Sequence, residues 1–385
     1  MKRISLIAIM ALMGIGSVAA KSSTTLPIVG EVVKATNPLI QYVGRVSFAK
    51  NETASFNFPG TSILARFQGS SLKMICRPMT GYFMAQVDGC EPFKVGFNAE
   101  RDSVVTVAAA LPKGEHQVKL MYVIEGLFRT PEFRGFVLDK GCSLVKSPDL
   151  PERKIEFIGN SITCGYGVES IEMTDPFEDE TENHWLTYAN IVSDSLNAQH
   201  TSISRSGIGV YRNYDGPKAG SDENMPWQYE YTLFNKHDEK WDFNKYQPQL
   251  VCINLGTNDL STNNYDIALY EKNYRMFLTT VRSKYPNAKI VLITGPMLGE
   301  KESGEQREVL DRICSDANKK GFTLPDEVRK ARKGKNKGDK DICRFDFTFQ
   351  TGDLGYGASW HPSKLQHQKM AAELLPFLRN LMGWE

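Results

Sequence analysis

The pattern of hydrophobic residues changes once along this chain, at Lys146 to Arg153, and that change constrains the fold more than any other feature. Before it, short stretches rich in β-formers recur at close intervals: Arg45 to Phe48, Ser55 to Phe58, Ser62 to Phe67, Leu72 to Cys76, Phe83 to Val87, Val104 to Ala108 and Gln117 to Val123. Gly, Pro and Asn clusters separate them, and Asp88-Gly89 has the composition of a hairpin turn. After it, apolar runs alternate with helical stripes. The runs are Ile155 to Ile158, Thr201 to Ser204, Leu250 to Asn254, Lys289 to Thr294 and Arg344 to Phe349. The clearest stripe is Ile267, Tyr270, Tyr274, Phe277 and Val281. Another is Trp185, Ala189, Val192 and Leu196, and a final helix starts near Ser363. The predicted architecture is an all-β sandwich or jelly roll over 21–148, then an α/β domain over 149–385 whose five parallel strands are covered on both faces.

At 385 residues the chain exceeds one typical domain. Its balance of 41% hydrophobic and 24% charged residues is that of a soluble globular protein. A net charge of +1 argues against a nucleic-acid partner. Lys2 and Arg3, the apolar run Ile4 to Val18 and the ending Val18-Ala19-Ala20 read as an export signal over 1–20, too short to span a bilayer. No cysteine follows to carry a lipid, so a secreted or periplasmic product without membrane insertion is expected. Seven cysteines, an odd number, lack metal-type spacing, and no metal or cofactor is expected. Cys76 and Cys90 are the nearest pair for a disulfide, whereas Cys164 and Cys252 read as packing thiols.

In parallel sheets, sites form at the carboxyl ends of the strands. Ser161, in Gly159-Asn160-Ser161, follows the first strand, and Ser206-Gly207 follows the second. Gly256-Thr257-Asn258-Asp259 follows the third, and Trp360-His361-Pro362 precedes the last helix. Ester cleavage through serine needs a nucleophile, a base and donors for the developing oxyanion. Ser161 fits the first role and His361, among six histidines, the second. The N–H groups of Ser161 and Gly207, with the Asn258 amide, fit the third, leaving Asp259 as a helix cap. Trp227, Tyr211 and Trp360 are the aromatic residues available to hold a sugar; Trp185, opening a helical stripe, reads more readily as core. The basic run from Val328 to Lys340, with Asp339 its one acid, reads as a solvated loop. A place near the cleft, attracting acidic polysaccharide, is the alternative.

These elements resemble the blocks of the SGNH (GDSL-type) hydrolases, and in detail those of carbohydrate esterase family 2. The resemblance rests on IGNSITCGYG (Ile158 to Gly167), SGIGVYRNYDG (Ser206 to Gly216), WDF (Trp241 to Phe243), INLGTND (Ile253 to Asp259) and WHPS (Trp360 to Ser363). It implies an SGNH-type three-layer α/β/α domain behind a jelly roll, a cofactor-free serine esterase, and an acetylated polysaccharide such as xylan or glucomannan as substrate. One departure stands out. Related enzymes often place an aspartate two or three residues before the histidine, where this chain has Ser359 and Ala358. Some family members use a serine–histidine dyad oriented by a main-chain carbonyl, which implies that role for Ser359. Asp353 or Asp346 reaching the ring is the alternative. Two other functions fit the scaffold: a lysophospholipase or thioesterase, and a catalytically weak carbohydrate-binding protein.

Overall fold

The computed structural model describes residues 28–385 except 51, 102, 130 and 333–337; the export signal lies outside the described residues. The N-terminal half is two packed antiparallel sheets. One runs Glu31–Lys34, Glu132–Leu138, Leu72–Cys76, Ser103–Ala108, with Ala54–Ser55 also on Glu132–Leu138. The other runs Leu144–Val145, Ser62–Gly69, Gly114–Tyr122, Gly81–Val87, Phe93–Phe97, with Gln41–Val43 also on Ser62–Gly69. Phe56, Phe83, Phe97 and Tyr122 meet edge to face between them, the geometry favoured by the ring quadrupoles. Asp88 and Gly89 turn with φ of 51° and 71° at the predicted hairpin.

Two predicted strands of this half are not strands. Arg45–Phe48 leaves the sheet because Arg45 turns into the C-terminal half, where it is 1% exposed. Phe56 and Phe58 follow the short strand Ala54–Ser55, and Phe58 packs in the core of the C-terminal half. Cys76 and Cys90, the nearest pair, are not joined: Cys76 is buried in its strand and Cys90 is exposed past the hairpin.

The C-terminal half has one five-stranded parallel sheet in the order Ala198–Ser204, Arg153–Gly159, Leu250–Asn254, Lys289–Thr294, Ile342–Asp346. Side chains alternate across it. Ile155, Phe157, Leu250, Cys252, Val291 and Ile293 face the helices Tyr188–Ser195 and Lys364–Met382. Ile158, Val251, Ile253, Ile290 and Leu292 face Ile267–Lys284 and Glu300–Lys320. Burial on both faces explains why these strands read as continuous apolar runs. The last strand begins two residues earlier than the sequence predicts. Trp185 lies in a separate turn, His184–Leu186, because Thr187 caps the helix that follows it. Among the described residues no helix is long and apolar enough to cross a membrane.

The two halves interlock. The Arg45 guanidinium donates to the carbonyls of Tyr229 and Tyr231 and stacks over Tyr229, Trp241 and Phe243. It also draws down the carboxyl of Glu156, which burial pushes up and which accepts from the Tyr229 and Tyr285 hydroxyls. The Val123 carbonyl accepts from the His184 amide at 2.9 Å.

Candidate active site

Three loops start level with one another. Gly159 pairs in register with Ser204 on one side and Asn254 on the other, and adjacent strands lie about 4.8 Å apart. Ser161, Gly207 and Asn258 follow those strand ends by two, three and four residues, so they share one rim of the sheet. A tight turn carries Ser161. Asn160 caps it, its Oδ1 accepting from the Ile162 amide at 3.0 Å. A Cβ on Gly159 would overlap the Thr163 hydroxyl, so only glycine lets the chain fold back this sharply.

His361 arrives from the other end of the domain. Its Nε2 lies 2.8 Å from Ser161 Oγ. Its Nδ1 faces the carbonyls of Ala358, at 3.0 Å, and Ser359, at 3.2 Å. Carbonyls only accept, so Nδ1 carries the hydrogen and Nε2 presents a lone pair to the serine. Ser359 and Trp360 both adopt left-handed φ, 51° and 59°, which costs about 1–2 kcal/mol each for a residue with a Cβ. That strain turns the two carbonyls back onto the ring. Burial pulls the imidazole down to about 4, against the two carbonyl contacts, which pull it up.

The histidine loop rests on the segment after Ser161. The Ala358 amide donates to Gly167 O at 3.0 Å, and a Cβ on Gly167 would overlap the Ala358 methyl. Between Gly165 and Gly167, Tyr166 lays its ring on the His361 imidazole. Nothing in the sequence marks Tyr166 for this role except the glycines on either side of it, in Gly165-Tyr166-Gly167.

Gly207 is left-handed at φ +74°, and nothing stands within 4 Å of where its Cβ would be. Among the described residues neither its N–H nor that of Ser161 has a protein acceptor. Asn258 donates one amide hydrogen to the Ile208 carbonyl at 2.8 Å, which turns its amide toward the Gly207 loop. Asp259 is not the predicted helix cap. It lies inside the turn Thr257–Leu260, and its carboxylate accepts from the amides of Val210, Tyr211 and Arg212 at 2.8–3.0 Å. Burial pushes its carboxyl up to about 6, against these three donors.

Neither proposed carboxylate bonds to His361; each is engaged elsewhere. Asp353 is exposed and accepts from Thr351 Oγ1 at 2.8 Å, and Asp346 pairs with Arg344.

The aromatic residues divide. Trp360 is 52% exposed beside His361. Tyr211 is 1% exposed, its hydroxyl accepting from the Asp266 amide, so it offers no face to a sugar. Trp227, in the turn Met225–Gln228, packs its ring at a tilt against His237 of the hairpin that follows, and Trp185 packs against the N-terminal core under Lys119. Tyr214, which sequence reasoning passed over, is 62% exposed and its amide donates to Gly207 O at 2.8 Å.

The described part of the basic run is solvated at Arg329, Lys330 and Lys340, and it does not lie near the cleft. It enters the strand Ile342–Asp346 from its N-terminal end, at the rim opposite Ser161. Arg332 is 2% exposed and shares the buried carboxylate of Asp339 with Arg282. Lys333, Lys335 and Lys337 lie outside the described residues.

Comparison with known proteins places the chain in a family. Residues 42–148 match the family model for the carbohydrate esterase 2 N-terminal domain, and 155–374 match that for GDSL-like lipase/acylhydrolase. The chain is 34% identical over 351 residues to cellulase/esterase CelE of Acetivibrio thermocellus, an alignment covering 90% of this chain and 40% of that larger relative. It is 27% identical to an acetylxylan esterase / glucomannan deacetylase of Cellvibrio japonicus, across 91% of each. A family two carbohydrate esterase from Clostridium thermocellum, solved in complex with cellohexaose, superposes with a TM-score of 0.79 at 33% identity, over 90% of this chain and all of that one. The chain therefore belongs to carbohydrate esterase family 2, carboxylic ester hydrolases of the SGNH/GDSL superfamily.

Proposed function

We propose that this protein is an exported serine esterase that removes acetyl groups from plant cell-wall polysaccharides, xylan and glucomannan among them, through a Ser161–His361 dyad. One contact supports it above all: Ser161 Oγ at 2.8 Å from an imidazole whose other nitrogen is held by carbonyls. His361 Nε2 takes the hydroxyl proton as Oγ attacks the acetyl carbonyl. The negative charge that develops on the carbonyl oxygen is met by the N–H groups of Ser161 and Gly207 and the free amide hydrogen of Asn258. The imidazolium then protonates the departing sugar oxygen, leaving acetyl on Ser161. Water, activated by the same nitrogen, releases acetate.

The main-chain carbonyls take the place of an acidic third member. They fix the tautomer and favour the imidazolium without a buried charge. The exposed ring of Trp360 offers a face to the sugar next to the ester, and the acetylxylan esterase / glucomannan deacetylase names of the relatives point to the same substrate class. An export signal over 1–20 suits a substrate found outside the cell.

The test is acetate release from acetylated xylan and glucomannan, beside short- and long-chain aryl esters, by wild type and Ser161→Ala. Release by wild type alone is expected. Preference for long acyl chains would make the protein a lipase-like hydrolase, and binding without turnover a carbohydrate-binding protein.

A further inference from the structure

A buried carboxylate from the N-terminal half stands behind the site. Glu125 follows the strand Gly114–Tyr122 and is 4% exposed. Its Oε2 accepts the amide N–H of Ser206 at 2.7 Å, and the next peptide carries the N–H of Gly207. The supporting strand has already ended: it stops at Ser204, and the Arg205 amide makes the last contact to Gly159 O, at 3.4 Å. Past that point the Ser206 amide depends on Glu125. Losing the acceptor of a buried donor costs about 1–3 kcal/mol, enough to displace a loop.

Glu125 is itself held on several sides. Its amide donates to Glu182 Oε2 at 2.9 Å, and Gly126 N donates to Asn57 O at 2.9 Å. Asn235 Nδ2, from the C-terminal half, donates to the Gly126 carbonyl at 3.2 Å and the Arg129 carbonyl at 2.7 Å. Cys164, on the turn that begins with Ser161, sets its Sγ 3.8 Å from Glu125 Oε2 and 3.3 Å from Ser204 Oγ. One side chain thus touches both the loop of Gly207 and the turn of Ser161.

We propose that Glu125 is a positioning residue for this esterase: by holding the Ser206 amide it aims the Gly207 N–H at the oxyanion, which makes the N-terminal half a working part of the centre. The proposal rests on the reading of Ser161, His361 and Gly207 given above. What it requires of Glu125 is an acceptor oxygen, not a charge. A full negative charge behind the donor would oppose an oxyanion in front of it. Burial pushes the carboxyls of Glu125 and Glu182 up, Glu182 further, which disfavours that charge.

Glutamine keeps the acceptor at the same reach, aspartate withdraws it by one methylene, and leucine removes it. In the full-length chain, Glu125→Gln should hold kcat on 4-nitrophenyl acetate within about threefold of wild type, whereas Glu125→Asp and Glu125→Leu should lose about 10- to 100-fold in kcat with little change in KM. Near-UV circular dichroism checks that each variant is folded, and if Glu125→Leu is not, Glu125→Asp decides. A folded Asp or Leu variant with wild-type kcat would overturn the proposal, as would a Gln variant as impaired as Leu. Ser161→Ala runs in parallel: if it keeps turnover, the reading of the centre itself is wrong. If it is inactive while Glu125→Asp is unaffected, only the role of Glu125 is lost.

Discussion

The ring of Tyr166 lies on the imidazole of His361, with centroids 4.1 Å apart and planes inclined by 26°. Phe177 backs it at 4.6 Å. In the proposed dyad no carboxylate holds the histidine, and this stack and two carbonyls are what contact the ring. Removing the wall should let the imidazole swing. Tyr166→Ala is expected to lower kcat by about tenfold or more, since small misplacements of a catalytic group are costly. Tyr166→Phe keeps the ring and should stay near wild type, and steady-state kinetics on an aryl acetate compares the two.

Burial sets the acid limit of activity. His361 must be neutral to act as base, and its folded value is pulled down to about 4. Activity should persist below the ordinary histidine range and fail as pH drops through about 4. An acid limb of kcat/KM centred at or above an ordinary histidine value would contradict it. Asp353→Ala should leave both the limb and the rate unchanged, because that carboxylate is engaged with Thr351 at 2.8 Å.

Three other histidines govern acid stability. His184 Nε2 lies 3.0 Å from His200 Nε2, and His367 stacks on Tyr188. Burial lowers His184 to about 4, His367 to about 3 and His200 well below its usual value. All three are neutral in the fold, whereas the unfolded chain takes up protons below about pH 6.5. Their contribution is therefore complete above that pH and lost as pH falls. At pH 5 the cost is on the order of 2 kcal/mol for each of His184 and His367. Urea midpoints at pH 7.5 and pH 5 measure it, and equal midpoints would count against it.

Asp339 should matter for stability and not for rate. It lies between Arg282 and Arg332, with Nε of Arg282 at 2.7 Å and Nη1 of Arg332 at 2.9 Å. Asp339→Ala leaves two buried guanidiniums without their shared anion and should cost about 3–5 kcal/mol. Because the cluster sits at the far rim, kcat per folded molecule should not change. Urea unfolding, with active-site titration of the remaining enzyme, separates the two effects.

How much was legible in the sequence follows from where each contact lies. The parallel strands were readable because burial on both faces leaves continuous apolar runs. The placement of Ser161, Gly207 and Asn258 on one rim, with His361 against Ser161, was readable because each follows a strand end or precedes a helix. Tyr211 and Asp259 were misread for one shared reason: a residue's role in a loop depends on what folds over it, and here Asp259 draws three amides of the loop carrying Tyr211 inward. Arg45 and Glu125 were illegible. Each acts more than eighty positions away, on Tyr229 and Ser206 respectively, and neither carries a local pattern. In the basic run only the buried pair Arg332–Asp339 was illegible, because composition does not tell which end of a strand a loop adjoins.

Arg45 also bears on how this protein can be cut. Its guanidinium belongs to one half by chain and to the other by surroundings, seated among Tyr229, Trp241 and Phe243. Severing the linker near residue 150 would not liberate a smaller catalyst. It would leave an open socket of aromatic rings and a buried acid, Glu156, deprived of its cation.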